Sequence, residues 1–329
     1  MTNKTVHSSK SFGLIVNGHA GKVKSGAYKV EDFQAIFKDR GLIRETQSLE
    51  DIPIVLKEFQ KAGIDILFIY GGDGTHQKVI SQMIASDVQF TYVAPLKGGT
   101  MNMLVKDIKL GGQAKSVAKR IVDRYDPVNN LLPSFQKAVL KVTTDSRDPL
   151  FGFYFANGII YNILKKYYEQ PSSVANAIRV TLGGLLGSIL PHHSYSPYFK
   201  PSQCQVIADG KPLKWNESLG IMLSTMNRVV FGMTPFGKDT LSKKQFNFIA
   251  YTFHKRELLW RFVFLAKGRW MNPPSADPYN LEFVELTCRS GYVLDGEVYD
   301  VCEGATTGIE VGAYLNIPVI SQPITAPRS

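Results

Sequence analysis

Ile69-Tyr70-Gly71-Gly72-Asp73-Gly74-Thr75 is the stretch on which the reading of this chain turns. It ends an apolar run, Ile64 to Tyr70, that reads as a buried strand, and it precedes a helix-like segment from about His76 to Ala85. Glycines at a strand-to-helix turn let backbone N–H groups approach an anion, and a helix N-terminus adds partial positive charge. Asp73 is unsuited to touching phosphate itself. It is suited to holding a magnesium ion or to accepting a proton from an attacking hydroxyl. The combination points to phosphoryl transfer from a nucleotide. Asp-Gly on its own marks only a turn, so the weight of this reading rests on the rest of the chain.

Outward from that turn, the first ~130 residues alternate β and α signals. Phe12 to Asn17 reads as a strand, Asp32 to Lys38 as a helix and Gly41 to Thr46 as a short strand. Asp51 to Ala62 carries Ile54, Val55, Phe59 and Ala62 at helical spacing, with Pro53 in its first turn. Phe90 to Ala94 is another strand, and Ala114 to Arg124 another helix. Such alternation predicts a parallel, layered, Rossmann-like α/β domain over residues 1–130, with ligands at the carboxyl ends of its strands. After residue 130 strand signals dominate: Lys137 to Thr143, Phe151 to Ala156, Gln203 to Ala208, Ser218 to Ser224, Gln245 to Phe253, Leu281 to Cys288 and Gly308 to Val311. Turn pairs such as Asp209-Gly210 and Ser290-Gly291 separate several of them, predicting an antiparallel, β-rich domain over residues 131–312.

Composition bounds the function classes. A chain of 329 residues, 44% hydrophobic, is long enough for two domains with real cores. Its three cysteines, Cys204, Cys288 and Cys302, are sparse and odd in number; they read as filler side chains in a reducing, cytoplasmic setting. Met1 to Ser11 lacks the apolar core of a signal peptide, and no run approaches the ~20 apolar residues that span a bilayer. The net charge of +10 suits phosphorylated substrates or an anionic membrane surface; with no zinc-finger spacing or RNA-binding motif, nucleic acid is not expected.

Three further constellations carry chemistry. Asn17-Gly18-His19-Ala20-Gly21 ends the first strand with small residues and an amide. Lys97-Gly98-Gly99-Thr100-Met101-Asn102 repeats the logic of strand, glycines and threonine; Thr75 and Thr100 can each donate to a phosphate oxygen. Far along the chain, Leu294-Asp295-Gly296-Glu297 reads either as a plain hairpin or as a carboxylate pair able to accept or orient a hydroxyl proton. The donor and acceptor ends of the reaction would then meet in a cleft between the domains.

These pieces, in this order, resemble the diacylglycerol kinase catalytic-domain family, which includes bacterial soluble lipid kinases and sphingosine kinases. The pattern is carried by Asn17 with Gly21, Gly71 to Thr75, Pro95 with Gly99-Thr100 and Asn102, and Asp295-Gly296-Glu297. The resemblance implies an ATP-binding α/β domain, a β-sandwich lipid-substrate domain and a C-terminal segment, about 313–329, that returns to the first domain. It implies ATP and Mg2+ as cofactors, with Asn17, Gly21, Gly71, Gly72, Gly74, Thr75, Gly98, Gly99, Thr100 and Asn102 around the nucleotide, Asp73 as catalytic and magnesium-supporting acid, and Asp295 or Glu297 as proton acceptor. The substrate would be a hydroxyl of diacylglycerol or a related lipid alcohol, reached by a cytoplasmic protein peripheral to an anionic membrane. Lys78 stands where the family usually has Glu, Met103 where Asp is common, and Pro235 to Thr240 holds only one acid.

Two alternatives stay open. NAD kinases share the GGDGT turn, and the departures suit a non-catalytic membrane-binding protein on a kinase fold. Phe253 to Trp270 reads as a basic, aromatic amphipathic helix, fit for packing or for an anionic surface. Ala177 to Phe199, with His192-His193, reads as an apolar lid. Oligomeric state is left open, a homodimer included.

Overall fold

The computed structural model describes residues 10–18, 29–99, 101–126, 128–129, 132–168, 200–229, 234–236, 241–252, 257 and 280–319. Gly21, Thr100, His192-His193, most of Phe253 to Trp270 and the Gly237 to Thr240 stretch lie outside these residues. The chain divides into two compact units, Met1–Lys137 with Tyr314–Ser329, and Ala138–Ala313.

The first unit is built on a parallel sheet. Its strands are β1 (Phe12–Asn17), β2 (Gly41–Thr46), β3 (Ile66–Gly71) and β4 (Tyr92–Lys97), ordered β2-β1-β3-β4. β3 is buried along its whole length and β1 up to Val16, which is why their sequences are continuous apolar runs rather than alternating ones. Pro95 is tolerated in β4 because this strand lies at an edge, where a missing N–H leaves no ladder bond broken. Helices α1 (Val30–Phe37), α2 (Asp51–Lys61), α3 (Asp73–Ala85), α4 (Met103–Asp107) and α5 (Ala114–Arg124) accompany the strands. In α2, Ile52, Val55, Leu56 and Phe59 face inward at helical spacing, while Ile54 is 68% exposed. Phe12, Phe37 and Phe68 meet with ring centroids 5.2 to 6.3 Å apart, joining β1, α1 and β3.

Two elements depart from expectation here. α3 begins at Asp73, three residues before the expected start, because Gly72 takes the extended N-cap conformation and the glycine turn feeds directly into helix. α4 was not expected at all. Its five residues carry no period of their own, and it is held from outside: Asp73 accepts bonds at its N-terminus, and its last residue, Asp107, pairs with buried Lys137 at 2.6 Å.

The second unit is a sandwich of two antiparallel sheets. Its strands are β5 (Ser134–Thr144), β6 (Arg147–Gly152), β7 (Tyr154–Asn157), β8 (Ser202–Ala208), β9 (Lys211–Pro212), β10 (Glu217–Ser218), β11 (Gly220–Ser224), β12 (Phe246–Tyr251), β13 (Asn280–Leu281), β14 (Phe283–Cys288), β15 (Tyr292–Leu294), β16 (Glu297–Tyr299) and β17 (Thr306–Pro318). One sheet runs β10-β8-β14-β17-β5-β6 with β9 beside β8; the other runs β13-β12-β11-β7-β15-β16. Inward residues of both, such as Val206, Leu286 and Ile309 against Phe155, Leu223 and Phe248, form one core. The run Phe151 to Ala156 is not one strand: β6 and β7 belong to different sheets, and the chain changes sheet at Phe153. A helix, α6 (Ile159–Tyr168), also lies within this β-rich unit.

The cysteines require a correction. Cys204 and Cys288 sit directly opposite each other on β8 and β14, with Cα atoms 4.3 Å apart, and form a disulfide. Only Cys302 is free and exposed. The pairing joins residues 84 apart in sequence, so no local spacing announced it, and the cysteine argument for a reducing compartment falls with it. Among the described residues, no helix is long and apolar enough to cross a membrane.

Candidate active site

The strand order places a topological switch point at the neighbouring strands β1 and β3, since β2 lies to one side and β4 to the other. Crevices outside the carboxyl ends of such strands bind ligands. Asn17 ends β1 and Gly71 ends β3, and the Asn17 amide spans the gap by donating to Thr75 Oγ1 at 3.0 Å. Gly72, Asp73, Gly74 and Thr75 then form the N-cap and first turn of α3. Gly72 has no side chain with which to cap that turn, so the early N–H groups of a thirteen-residue helix point outward as a ready anion site.

The second glycine loop is clamped to the first. Gly98 N–H donates to the Gly71 carbonyl at 2.8 Å. A Cβ on Gly98 would lie 2.8 Å from the Gly71 backbone, and a Cβ on Gly99 would lie 2.6 Å from Gly72 Cα. The glycines are therefore required by contact between the two loops, in addition to any ligand they admit. Asn102 closes the second loop. It is fully buried in the left-handed conformation, accepts from Gly99 N–H at 3.0 Å and donates back to the Gly99 carbonyl. Asn102 is thus part of the loop's frame, not a side chain presented from it.

Asp73 ties the two loops a second way. Its Oδ1 accepts from Met103 N–H at 2.6 Å and, more weakly, from Leu104 N–H at 3.4 Å, so the carboxylate compensates the N-terminal end of α4. No residue between 73 and 103 signals this contact in sequence. His76, also not singled out from sequence, lies beneath the same turn. Its Nε2 is 3.3 Å from the Ile69 carbonyl and 3.1 Å from the Leu96 carbonyl, so a single Nε2–H bridges the ends of β3 and β4. Burial pushes His76 below the ordinary imidazole value; the Asp73 charge and the two carbonyls pull the other way.

In the second unit, Asp295 and Gly296 are the two turn residues of the β15–β16 hairpin. Leu294 pairs with Glu297, and both turn residues have positive φ, +50° and +95°. The hairpin reading of the sequence is therefore correct as local structure, but the side chain does more. Asp295 is 5% exposed and accepts from Phe153 N–H at 2.9 and 3.1 Å and from Tyr154 N–H at 2.8 Å. Those N–H groups lie where the chain leaves one sheet for the other, so Asp295 satisfies backbone donors at that crossing. A Cβ on Gly152 would come within 2.7 Å of Asp295 Oδ2, which explains the glycine there. Glu297 is partly exposed. Of the two carboxylates, Asp295 is committed to the fold and Glu297 is reachable by a ligand.

No residues of a ready-made metal cage come together: among the described residues, no cluster of three or more His, Cys, Asp or Glu exists. The chemistry supported by the first unit is anion binding beside a single carboxylate.

Comparison with known proteins agrees with this geometry. The family model for the diacylglycerol kinase catalytic domain matches residues 11–128. No curated protein matches the chain. Among solved structures, one described as a diacylglycerol kinase from Bacillus anthracis str. Sterne superposes with a TM-score of 0.62 at 14% identity, covering 91% of this chain and 94% of its own. Another from the same organism, assigned to that activity provisionally, gives a TM-score of 0.65 at the same identity and coverage. At that identity the likeness establishes the two-part α/β and antiparallel fold.

Proposed function

We propose that this chain, whose residues 11–128 match the family model for the diacylglycerol kinase catalytic domain, is a lipid kinase, transferring the γ-phosphoryl of ATP to a hydroxyl of diacylglycerol or a related lipid alcohol. The observation that carries the reading is the clamped pair of glycine loops at the β1/β3 switch point, with Asp73 between them.

In this reading the open first turn of α3, with Gly71, Gly72, Gly74, Gly98 and Gly99, cradles the ATP phosphates, and Asn17 and Thr75 complete that polar surface. Asp73 would hold magnesium through its carboxylate, while Oδ1 keeps α4 in place. The magnesium, when bound, neutralises charge on the phosphates. Glu297 accepts or orients the proton of the lipid hydroxyl, and Asp295 fixes the turn from which Glu297 projects. Phosphoryl transfer of this kind depends mainly on positioning and charge neutralisation, which is what a rigid, backbone-lined site provides. The net charge of +10 suits a protein that visits an anionic membrane to collect its substrate.

The test is transfer of labelled phosphate from ATP and magnesium to a panel of dioleoylglycerol, monooleoylglycerol and sphingosine in mixed micelles, with free NAD alongside. Label on one lipid supports the proposal and names the acceptor class. Label on NAD alone makes the protein an NAD kinase. No label anywhere, with binding to phosphatidylserine vesicles retained, makes it a non-catalytic membrane-binding protein.

A further inference from the structure

Glu297 sits between two anchored points. On its N-terminal side, the hydroxyl of Tyr168 donates to the Gly296 carbonyl at 2.9 Å. On its C-terminal side, Asp300 is gripped by several groups: Tyr161 Oη donates to Asp300 Oδ1, Lys165 Nζ reaches the same oxygen at 2.8 Å, and Arg147 donates to the Asp300 carbonyl at 2.6 Å. Tyr161, Lys165 and Tyr168 are spaced i, i+4, i+7, so one face of α6 runs along the hairpin that carries the carboxylate. Lys165 also reaches Tyr161 Oη at 3.0 Å, joining the anchor groups on the Asp300 side.

The two anchors differ in position rather than in exposure, since Tyr168 is itself 56% exposed. The Lys165–Asp300 pair is largely exposed, with side chains 46% and 69% accessible, and an exposed pair of that sort contributes little to stability by itself. The Tyr168 bond falls on the peptide directly before Glu297, where a small rotation re-aims the carboxylate. Partial desolvation of the ring, and next the charge of Glu297, raise the Tyr168 phenol above its ordinary value; like any phenol it is a donor at neutral pH.

We propose that Tyr168 is a positioning residue for Glu297: its hydroxyl fixes the Gly296 peptide, and thereby the direction of the carboxylate, from the last turn of α6. The proposal rests on the reading of Glu297 as the group that handles the acceptor proton. Tyr168→Phe removes one hydroxyl and keeps the ring, so the fold is retained. With dioleoylglycerol in mixed micelles, kcat should fall roughly three- to tenfold, the rate equivalent of one modest hydrogen bond, while KM for ATP stays unchanged. In a Glu297→Gln background the same substitution should have no further effect on the residual rate, because a group acting through Glu297 has nothing left to position. Amide hydrogen exchange at residues 296–299 should quicken in Tyr168→Phe. Independent, multiplying effects in the double variant, or unchanged exchange in the hairpin, would overturn the proposal. If Glu297→Gln alone retained full turnover, the proton-acceptor reading would fail instead. The exchange measurement would then still decide whether Tyr168 holds the turn.

Discussion

Replacing Gly99 with alanine tests whether the glycines serve loop-to-loop contact. The added methyl would lie 2.6 Å from Gly72 Cα, about 0.8 Å inside the 3.4 Å at which ordinary van der Waals contact begins. Its neighbour is backbone, so no side chain can swing away, and the two loops must part by a large fraction of an ångström. Overpacking of this kind costs about 1–3 kcal/mol. The same displacement moves the Gly98-Gly99 loop relative to the first turn of α3, and a shift near 1 Å at a reacting centre costs on the order of 10²-fold in rate. Gly111→Ala is the matched control: nothing lies within 4 Å of the position its Cβ would take, so its stability should stay level or rise by about 0.4–1 kcal/mol. Urea unfolding and ATP turnover of both variants provide the readouts. Wild-type stability together with wild-type turnover in Gly99→Ala would refute the argument that loop contact dictates these glycines.

Other expectations follow from the carboxylates and the buried histidine. Asp295→Asn should lose about 1–3 kcal/mol in urea unfolding, because the charge is lost and one of the two accepting oxygens becomes an NH2 group that only donates, set against backbone N–H donors. Glu297→Gln should unfold like wild type yet lose roughly 10²- to 10⁴-fold in kcat, the usual range for a general base; equal stability losses in the two variants would contradict the division of roles. His76 is held below its ordinary value in the fold, so the unfolded chain binds more protons. Its contribution to stability is complete above about pH 6.5 and is lost as pH falls from there through the folded value. Between about pH 7 and pH 5, His76→Gln should therefore lose less stability than wild type; parallel pH profiles would show that the ring is not buried neutral.

Much of the first unit could be read directly because its signals are local. Buried parallel strands announce themselves as apolar runs, and β1, β2 and α5 fall on the predicted residues. What escaped was held by distant partners. α4 depends on Asp73 thirty residues earlier, and the carboxylate that looked like a metal ligand proves also to be a helix cap. Phe151 to Ala156 reads as one strand because an apolar run has no mark for a change of sheet. The mark lies 142 residues on, in the Asp295 carboxylate that receives the Phe153 N–H. Asp295-Gly296 was legible as a turn, whereas the inward direction of Asp295 depends on Gly152 making room. The Cys204–Cys288 pairing likewise follows from strand register, which sequence spacing does not carry.

The central claim is that Asp73 acts in phosphoryl transfer and not solely as the cap of α4. Asp73→Asn separates the two roles, because the amide oxygen can still accept from Met103 N–H while the negative charge is gone. The decisive measurement is label transfer from ATP and magnesium to dioleoylglycerol by wild type and Asp73→Asn, with urea unfolding of both. The account predicts near-native stability and transfer reduced to background in the variant. Transfer at the wild-type rate in a stably folded Asp73→Asn would contradict it.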